Sequence, residues 1–228
     1  MTRYVRLELR DGRLEDGARY ISREALHARR APQVRVREAA WYGIGLWLTD
    51  VKGVRVLNHG GSMFGYRSDF FFIPEAGVGG VVLTNADSGW PVVEAVKRRT
   101  LELVYGGAPE AEEDLRSEVA QTLTALKSAQ SNWVAPPDPA AVARLAGRYH
   151  NDALGDFTVD RQSDQVVLRF GGWASPVATR DNPDGTTTFV TTEPGIRGLE
   201  LTAPERSGPM RRLVIRDAQH EYVYEAAP

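Results

Sequence analysis

The chain reads as α+β: a mixed portion of antiparallel sheet and helices to about residue 130, followed by a small antiparallel β-barrel. Three observations predict it. Apolar runs over 41–85 are broken at Asp50-Val51-Lys52-Gly53 and Pro74-Glu75-Ala76-Gly77, as three or so antiparallel strands would be. A helical pattern opens at Gly89-Trp90-Pro91, carries Val92, Val93, Val96, Leu101, Leu103 and Val104, and stops at Gly106-Gly107. Beyond Ala135-Pro136-Pro137-Asp138-Pro139 the helical texture gives way to short strands. The expected division is therefore 1–130, a linker at 131–140, and a barrel at 141–228.

Element by element, Tyr4, Val5, Leu7 and Leu9 lie close to a helical stripe that Asp11-Gly12 ends. Asp16-Gly17 marks a turn. Ser22 ahead of Glu24-Ala25-Leu26 reads as the N-cap of a short helix ending before Pro32. Trp41–Leu48 reads as a strand, as do Asp69–Pro74 and Gly80–Asn85. Glu110 to Ala129 is a charged helical stretch whose Glu110, Glu112, Glu113 and Asp114 form a solvated start. Seven barrel strands are expected, at 145–149, 157–159, 166–170, 187–190, 199–201, 213–215 and 222–224, with Asn182-Pro183-Asp184-Gly185 as a turn.

Composition narrows the function classes. At a net charge of −2, nothing electrostatic favours nucleic acid or an anionic membrane. With no cysteine, thiol catalysis, disulfides and Cys-ligated zinc are excluded. No apolar run approaches a membrane span, and the first residues are no signal peptide. His27, His150 and His220 share no metal-ligand spacing, so no metal and no cofactor is expected. The basic residues are nearly all arginine, which reads as a high-GC bacterial coding bias; the compartment stays open. Phe70-Phe71-Phe72 reads as core on both faces of a sheet.

The most informative stretch is His59-Gly60-Gly61-Ser62-Met63-Phe64-Gly65-Tyr66 between those strands. With its flanking strands and the helix after them, it resembles the last part of the catalytic domain of the serine β-lactamase, penicillin-binding-protein and family VIII esterase group. The stretch 1–33 is similar to the segment that follows that family's second motif. There a Lys-Thr-Gly or His-x-Gly triplet on a strand walls the active site. The resemblance implies acyl transfer on an ester, amide or β-lactam, leaning towards the esterase and D-aminopeptidase side. It places His59 in the position of the family's lysine as the catalytic candidate. Gly60, Gly61 and Ser62 are the substrate-binding candidates, the Ser62 N–H serving as an oxyanion donor. The residues after the linker resemble the lipocalin-like domain that follows many members of this group.

The family's nucleophile stands on a Ser-x-x-Lys helix. Three residues before Lys52, Lys97 and Lys127 stand Thr49, Glu94 and Thr124, so these residues hold no such motif. Gly60-Gly61-Ser62-Met63-Phe64 is no Gly-x-Ser-x-Gly elbow either, because Phe64 stands where glycine is needed. Tyr20-Ile21-Ser22, Tyr66-Arg67-Ser68 and Tyr149-His150-Asn151 match the family's second motif formally but read as packing or turn residues. The resemblance thus puts Met1 in the middle of a domain and predicts a fragment that is inactive alone. Two rivals stand beside it: a non-catalytic binding module, and half of a split enzyme completed by another chain. The expected partners are a small-molecule or peptide substrate once the site is complete, and either a homo-oligomer or the missing N-terminal half.

Overall fold

The computed structural model describes residues 1–63, 65–162, 165–217 and 219–228, apart from the side chains of Asp87 and Pro194. The chain forms two compact units, Met1–Thr122 and Leu123–Pro228.

In the first unit, helix α1 (Thr2–Leu9) and helix α2 (Arg23–Arg29) precede six strands. These are β1 (Val34–Arg37), β2 (Ala40–Tyr42), β3 (Trp47–Val51), β4 (Val54–Met63), β5 (Tyr66–Ile73) and β6 (Val78–Thr84). They pair antiparallel in chain order. Helix α3 (Trp90–Tyr105) follows, and α4 (Ala111–Ala129) carries the chain across the division between the units. The stops work as their chemistry requires. Asp11 and Gly12, both at positive φ, end α1, and the Ser22 hydroxyl accepts the Ala25 N–H at 3.1 Å to start α2. Gly106 closes α3 in the left-handed conformation. At the start of α4 the buried Glu102 carboxylate accepts the Glu110 and Ala111 N–H groups at 3.0 and 2.8 Å, so a neighbouring helix supplies the cap.

The sheet has six strands where about three were expected. Trp41–Leu48 is not one strand. Gly43-Ile44-Gly45 folds it back, with the Gly43 N–H bonded to Leu46 O at 2.8 Å and Gly45 at φ 69°. A Cβ on Gly43 would stand 2.3 Å from Arg29 O, so only glycine fits this close approach. β1, which alternates Val34-Arg35-Val36-Arg37, was not anticipated; it is only four residues long, and all four are exposed.

Strand alternation sends side chains to two cores. Leu57, Phe72, Leu48, Leu46 and Val5 pack on one face with Phe70 and Val81. Val56, Phe71 and Ile73 pack on the other with Val82 and Leu101 of α3. The triple phenylalanine is core on both faces, as read.

In the second unit, helix α5 (Pro139–Ala143) precedes β7 (Arg148–Asn151), β8 (Gly155–Gln162), β9 (Gln165–Phe170), β10 (Trp173–Asp181), β11 (Thr187–Thr191), β12 (Glu200–Ala203), β13 (Arg212–Arg216) and β14 (Glu221–Ala226). They close a barrel in which β14 pairs with β7 and β9 with β10. Tyr149, Phe157, Leu168, Phe189, Leu201, Leu213 and Tyr224 fill its core. Tyr149 is a packing residue: its hydroxyl donates to Met210 O at 2.8 Å and accepts the Ala146 N–H at 2.9 Å.

Three details differ from the sequence reading. An eighth strand, β10, was missed because Pro176 and its small polar neighbours obscure the pattern; the proline stands opposite Val167, the last pair on that side. The strand expected at 145–149 runs instead from Arg148 to Asn151, and so includes His150. The proline-rich stretch is pinned to β10 rather than free: Val134 and Thr179 exchange backbone bonds at 2.8 and 3.0 Å, and Asp138 caps α5.

Candidate active site

The sequence places His59, Gly60, Gly61 and Ser62 in the second half of β4, and the structure keeps all four on that strand. Phe64, which excludes the serine elbow in the sequence, lies outside the described residues.

Register shows what is special about this half of β4. Lys52 and Gly53 both have positive φ, so a two-residue turn joins β3 to β4 and makes Val51 and Val54 a hydrogen-bonded pair. Pairing continues in steps of two to Thr49 with Val56 and Trp47 with Asn58, and there β3 has its first residue. By the same phase the N–H and C=O groups of Gly60 and Ser62 point to the β3 side, beyond the reach of β3. On the other side β4 stays paired with β5 out to Met63 and Tyr66. Main chain with an open hydrogen-bonding edge, held rigid from behind, is what an extended ligand needs to add itself as a strand.

The four residues divide between the two faces. His59 shares its face with Leu57 and its cross-strand partner Phe70, and Gly61 follows it there. The His59 ring is half-buried, and its Nε2 lies 3.0 Å from the Tyr42 hydroxyl. Tyr42 meets Trp47 edge-on at 5.2 Å between ring centres. Tyr4 of α1 packs edge-on against Phe70 at 5.1 Å. Beside it the fully buried Glu8 carboxylate binds Arg29 at 2.6 Å and Arg30 at 2.8 Å, which locks α1 to α2. Burial raises the Tyr4 phenol above its ordinary value, and the hydrogen bond from Arg29 opposes the rise.

Gly60 faces the other way. A Cβ there would stand 3.0 Å from the Trp90 ring and 3.2 Å from Ser68 O, so its missing side chain makes room for Trp90 at the head of α3. The two glycines, both substrate-binding candidates, thus differ in what their missing side chains admit: the Trp90 ring at Gly60, and only the Ser68 hydroxyl nearby at Gly61. On Gly60's face a cleft of about 1070 Å³ is lined by Asn58, Gly60, Ser62, Trp90 and Lys97 among others. Its wall holds a buried polar chain that sequence reasoning missed. Asn58 donates to both Asp69 oxygens at 3.3 and 3.2 Å, and Lys97 reaches Asp69 at 2.9 Å and Glu94 at 2.7 Å. The signal was available as an aspartate inside the otherwise apolar run Asp69–Ile73.

The other histidines stay apart from this site. His27 bonds Asp11 at 3.0 Å, His150 lies between Asp152 and Asp156, and His220 is 3.5 Å from Asp217. Among the described residues no group of three or more potential ligands could hold a metal ion, and no helix is long and apolar enough to cross a membrane. Tyr20 and Tyr66 are exposed, and neither has His59 as a partner among the described residues.

The Beta-lactamase family model matches residues 1–105. Among solved structures, the octameric penicillin-binding protein homologue from Pyrococcus abyssi is 19% identical, with a TM-score of 0.41 over 96% of this chain and 45% of its own. SurE is 18% identical, with a TM-score of 0.31 over 89% of this chain and 42% of its own. SurE with D-Leu is 15% identical, with a TM-score of 0.31 over 97% and 48% respectively. The chain thus spans less than half the length of each of these structures. No curated protein sequence matches it. With His-Gly-Gly on an inner strand of an antiparallel sheet flanked by helices, residues 1–105 are β-lactamase-like, and a closed eight-stranded barrel follows them.

Proposed function

We propose that His59–Ser62 forms one wall of a β-lactamase-like acyl-transfer site, acting on the carbonyl of an ester, amide or β-lactam. The observation that carries this reading is the open main-chain edge at Gly60 and Ser62, beyond the first residue of β3 and beside His59. An extended acyl group laid along that edge pairs with Gly60. Its carbonyl oxygen then meets the Ser62 N–H, which stabilises the oxyanion as the tetrahedral intermediate forms. Gly61 keeps the His59 face clear, and His59 supplies a polar group where the family has lysine.

The attacking serine comes from a Ser-x-x-Lys segment outside these 228 residues, in the same polypeptide or in a separate chain. Alone, these residues are inactive, because Ser62 has no lysine three positions on and no base within the motif. Incubation of the 228-residue chain with a fluorophosphonate and with a labelled penicillin, followed by mass-spectrometric mapping, tests this. No labelled serine is expected until a segment carrying Ser-x-x-Lys is added. Stoichiometric labelling of any serine here, Ser62 above all, overturns the reading.

A further inference from the structure

We propose that Tyr42 is the positioning residue of His59. Its phenol donates to Nε2, holds the neutral imidazole as the Nδ1–H tautomer, and so makes His59 a hydrogen-bond donor rather than a base. The inference rests on the site reading above and deepens it.

Tyr42 can reach His59 only because β3 begins late. Tyr42 pairs with Trp47, and Trp47 with Asn58, so these three stand in one row across the sheet. His59 is the next residue along β4, where β3 has no counterpart to intervene. Through that gap the phenol oxygen comes within 3.0 Å of Nε2. Trp47, edge-on to Tyr42 at 5.2 Å, restricts where the phenol can swing.

The direction of the bond follows from donor and acceptor strength. A phenol is the better acid, and a neutral imidazole nitrogen is the better base, so O–H to N is the favoured match. The opposite arrangement, Nε2–H to the phenol oxygen, leaves the phenolic hydrogen with no acceptor among the described residues. Donation into Nε2 occupies that lone pair and obliges Nδ1 to carry the proton. The free imidazole side chain prefers the other tautomer, so the Tyr42 bond has a visible consequence. Arg29 and Arg30, which reach this side of the sheet through Tyr4 and Phe72, are both committed to Glu8.

Long-range ¹⁵N–¹H correlation spectra of the chain, labelled at its four histidines, read the tautomer directly at about pH 8, where histidine is ordinarily neutral. The signals lost in His59→Gln identify the ring. Expected is an unprotonated Nε2 and a protonated Nδ1 in the wild type. In Tyr42→Phe the ring reverts to a majority of Nε2–H while the other three histidines are unmoved. A wild-type His59 that is mainly Nε2–H, or an even mixture, overturns the proposal, as does a spectrum that Tyr42→Phe leaves unchanged. Should Tyr42→Phe fail to fold, the wild-type spectrum decides alone. The tautomer is read without any acylation, so its failure and that of the acyl-transfer reading are separate results.

Discussion

Lys97 of α3 places its ammonium 2.9 Å from the fully buried Asp69 carboxylate, on the opposite face of the strand pair from His59. Asp69 is the cross-strand partner of Gly60, and Asn58, one position before His59, donates to both of its oxygens. The half of β4 that carries the motif is thus clamped from behind by a charge pair, with the Trp90 ring stacked 5.6 Å from the ammonium. Such a clamp is stable only while every member is paired. Lys97→Ala should cost about 3–5 kcal/mol, since it strands the fully buried Asp69 carboxylate; Asp69→Ala should cost less, since Lys97 keeps Glu94 at 2.7 Å and borders the cleft. The double variant should cost clearly less than the sum. Denaturant unfolding of the three variants checks this, and simple additivity would show that the pair is not coupled.

Glu8 is the second clamp, and it secures α1 to α2 rather than strand to helix. Its carboxylate is 1% exposed and meets two guanidinium groups, while Arg30 also donates to the Glu8 carbonyl at 2.5 Å. Glu8→Ala leaves two positive charges facing each other in a small space and should lower stability by about 3–5 kcal/mol. Glu8→Gln keeps the shape and some of the hydrogen bonds, so it should fall between that variant and the wild type. Thermal unfolding monitored by circular dichroism orders the three; equal stability of Glu8→Ala and wild type would remove the clamp from the account.

In the barrel, His150 lies 2.5 Å from Asp156 and 3.1 Å from Asp152, and the Asp156 hydrogen bond, then that of Asp152, raises its pKa above the ordinary histidine value. Asp156 is held below the ordinary carboxylate value, by its hydrogen bond to Arg148 first and to His150 second. The signs fix the pH window. The His150 contribution is fully present below about pH 6.5 and is lost as pH rises through the raised pKa. The Asp156 contribution is present above about pH 4 and is lost as pH falls through the depressed pKa. NMR titration should find His150 above the ordinary value in wild type and closer to it in Asp156→Asn. A His150 that titrates at or below the ordinary value in wild type contradicts the geometry.

Much of this was legible in the sequence because local chemistry decides it. Ser22, Gly106 and Lys52-Gly53 act within a few residues, and each ends or turns its element as its residue type demands. What escaped depended on distant chain. Gly43 is required by Arg29 O, and Gly60 by Trp90, neither of which is near in sequence. β1 is a four-residue alternation, Val34-Arg35-Val36-Arg37, too short to stand out, and β10 conceals itself behind Pro176. The candidate motif His59–Ser62 was visible as four letters. The reason its main chain is free, the late start of β3, was not, because the reading ran a strand straight through Gly43-Ile44-Gly45.

The last expectation separates the two motif glycines. At Gly60 a methyl group would meet the Trp90 ring at 3.0 Å and the Ser68 carbonyl at 3.2 Å, one a large ring and the other backbone, so neither gives way cheaply. At Gly61 the one neighbour is the Ser68 hydroxyl at 3.0 Å, which can rotate aside, and the residue is exposed. Gly60→Ala should therefore lower stability by about 1–3 kcal/mol, as over-packing does. Gly61→Ala should stay within about 0.5 kcal/mol of wild type, as exposed substitutions do. The functional order is the reverse. Once a Ser-x-x-Lys segment completes the site, the proposed acyl-transfer reading expects Gly61→Val to block acylation while the sheet stays folded, because its side chain stands on the His59 face beside the edge where that reading lays the acyl group. Unfolding curves of the two alanine variants, together with labelling of the completed Gly61→Val protein, read both halves. Full labelling of Gly61→Val would move the substrate off that face, and equal stability of Gly60→Ala and Gly61→Ala would remove Trp90 as the reason for Gly60.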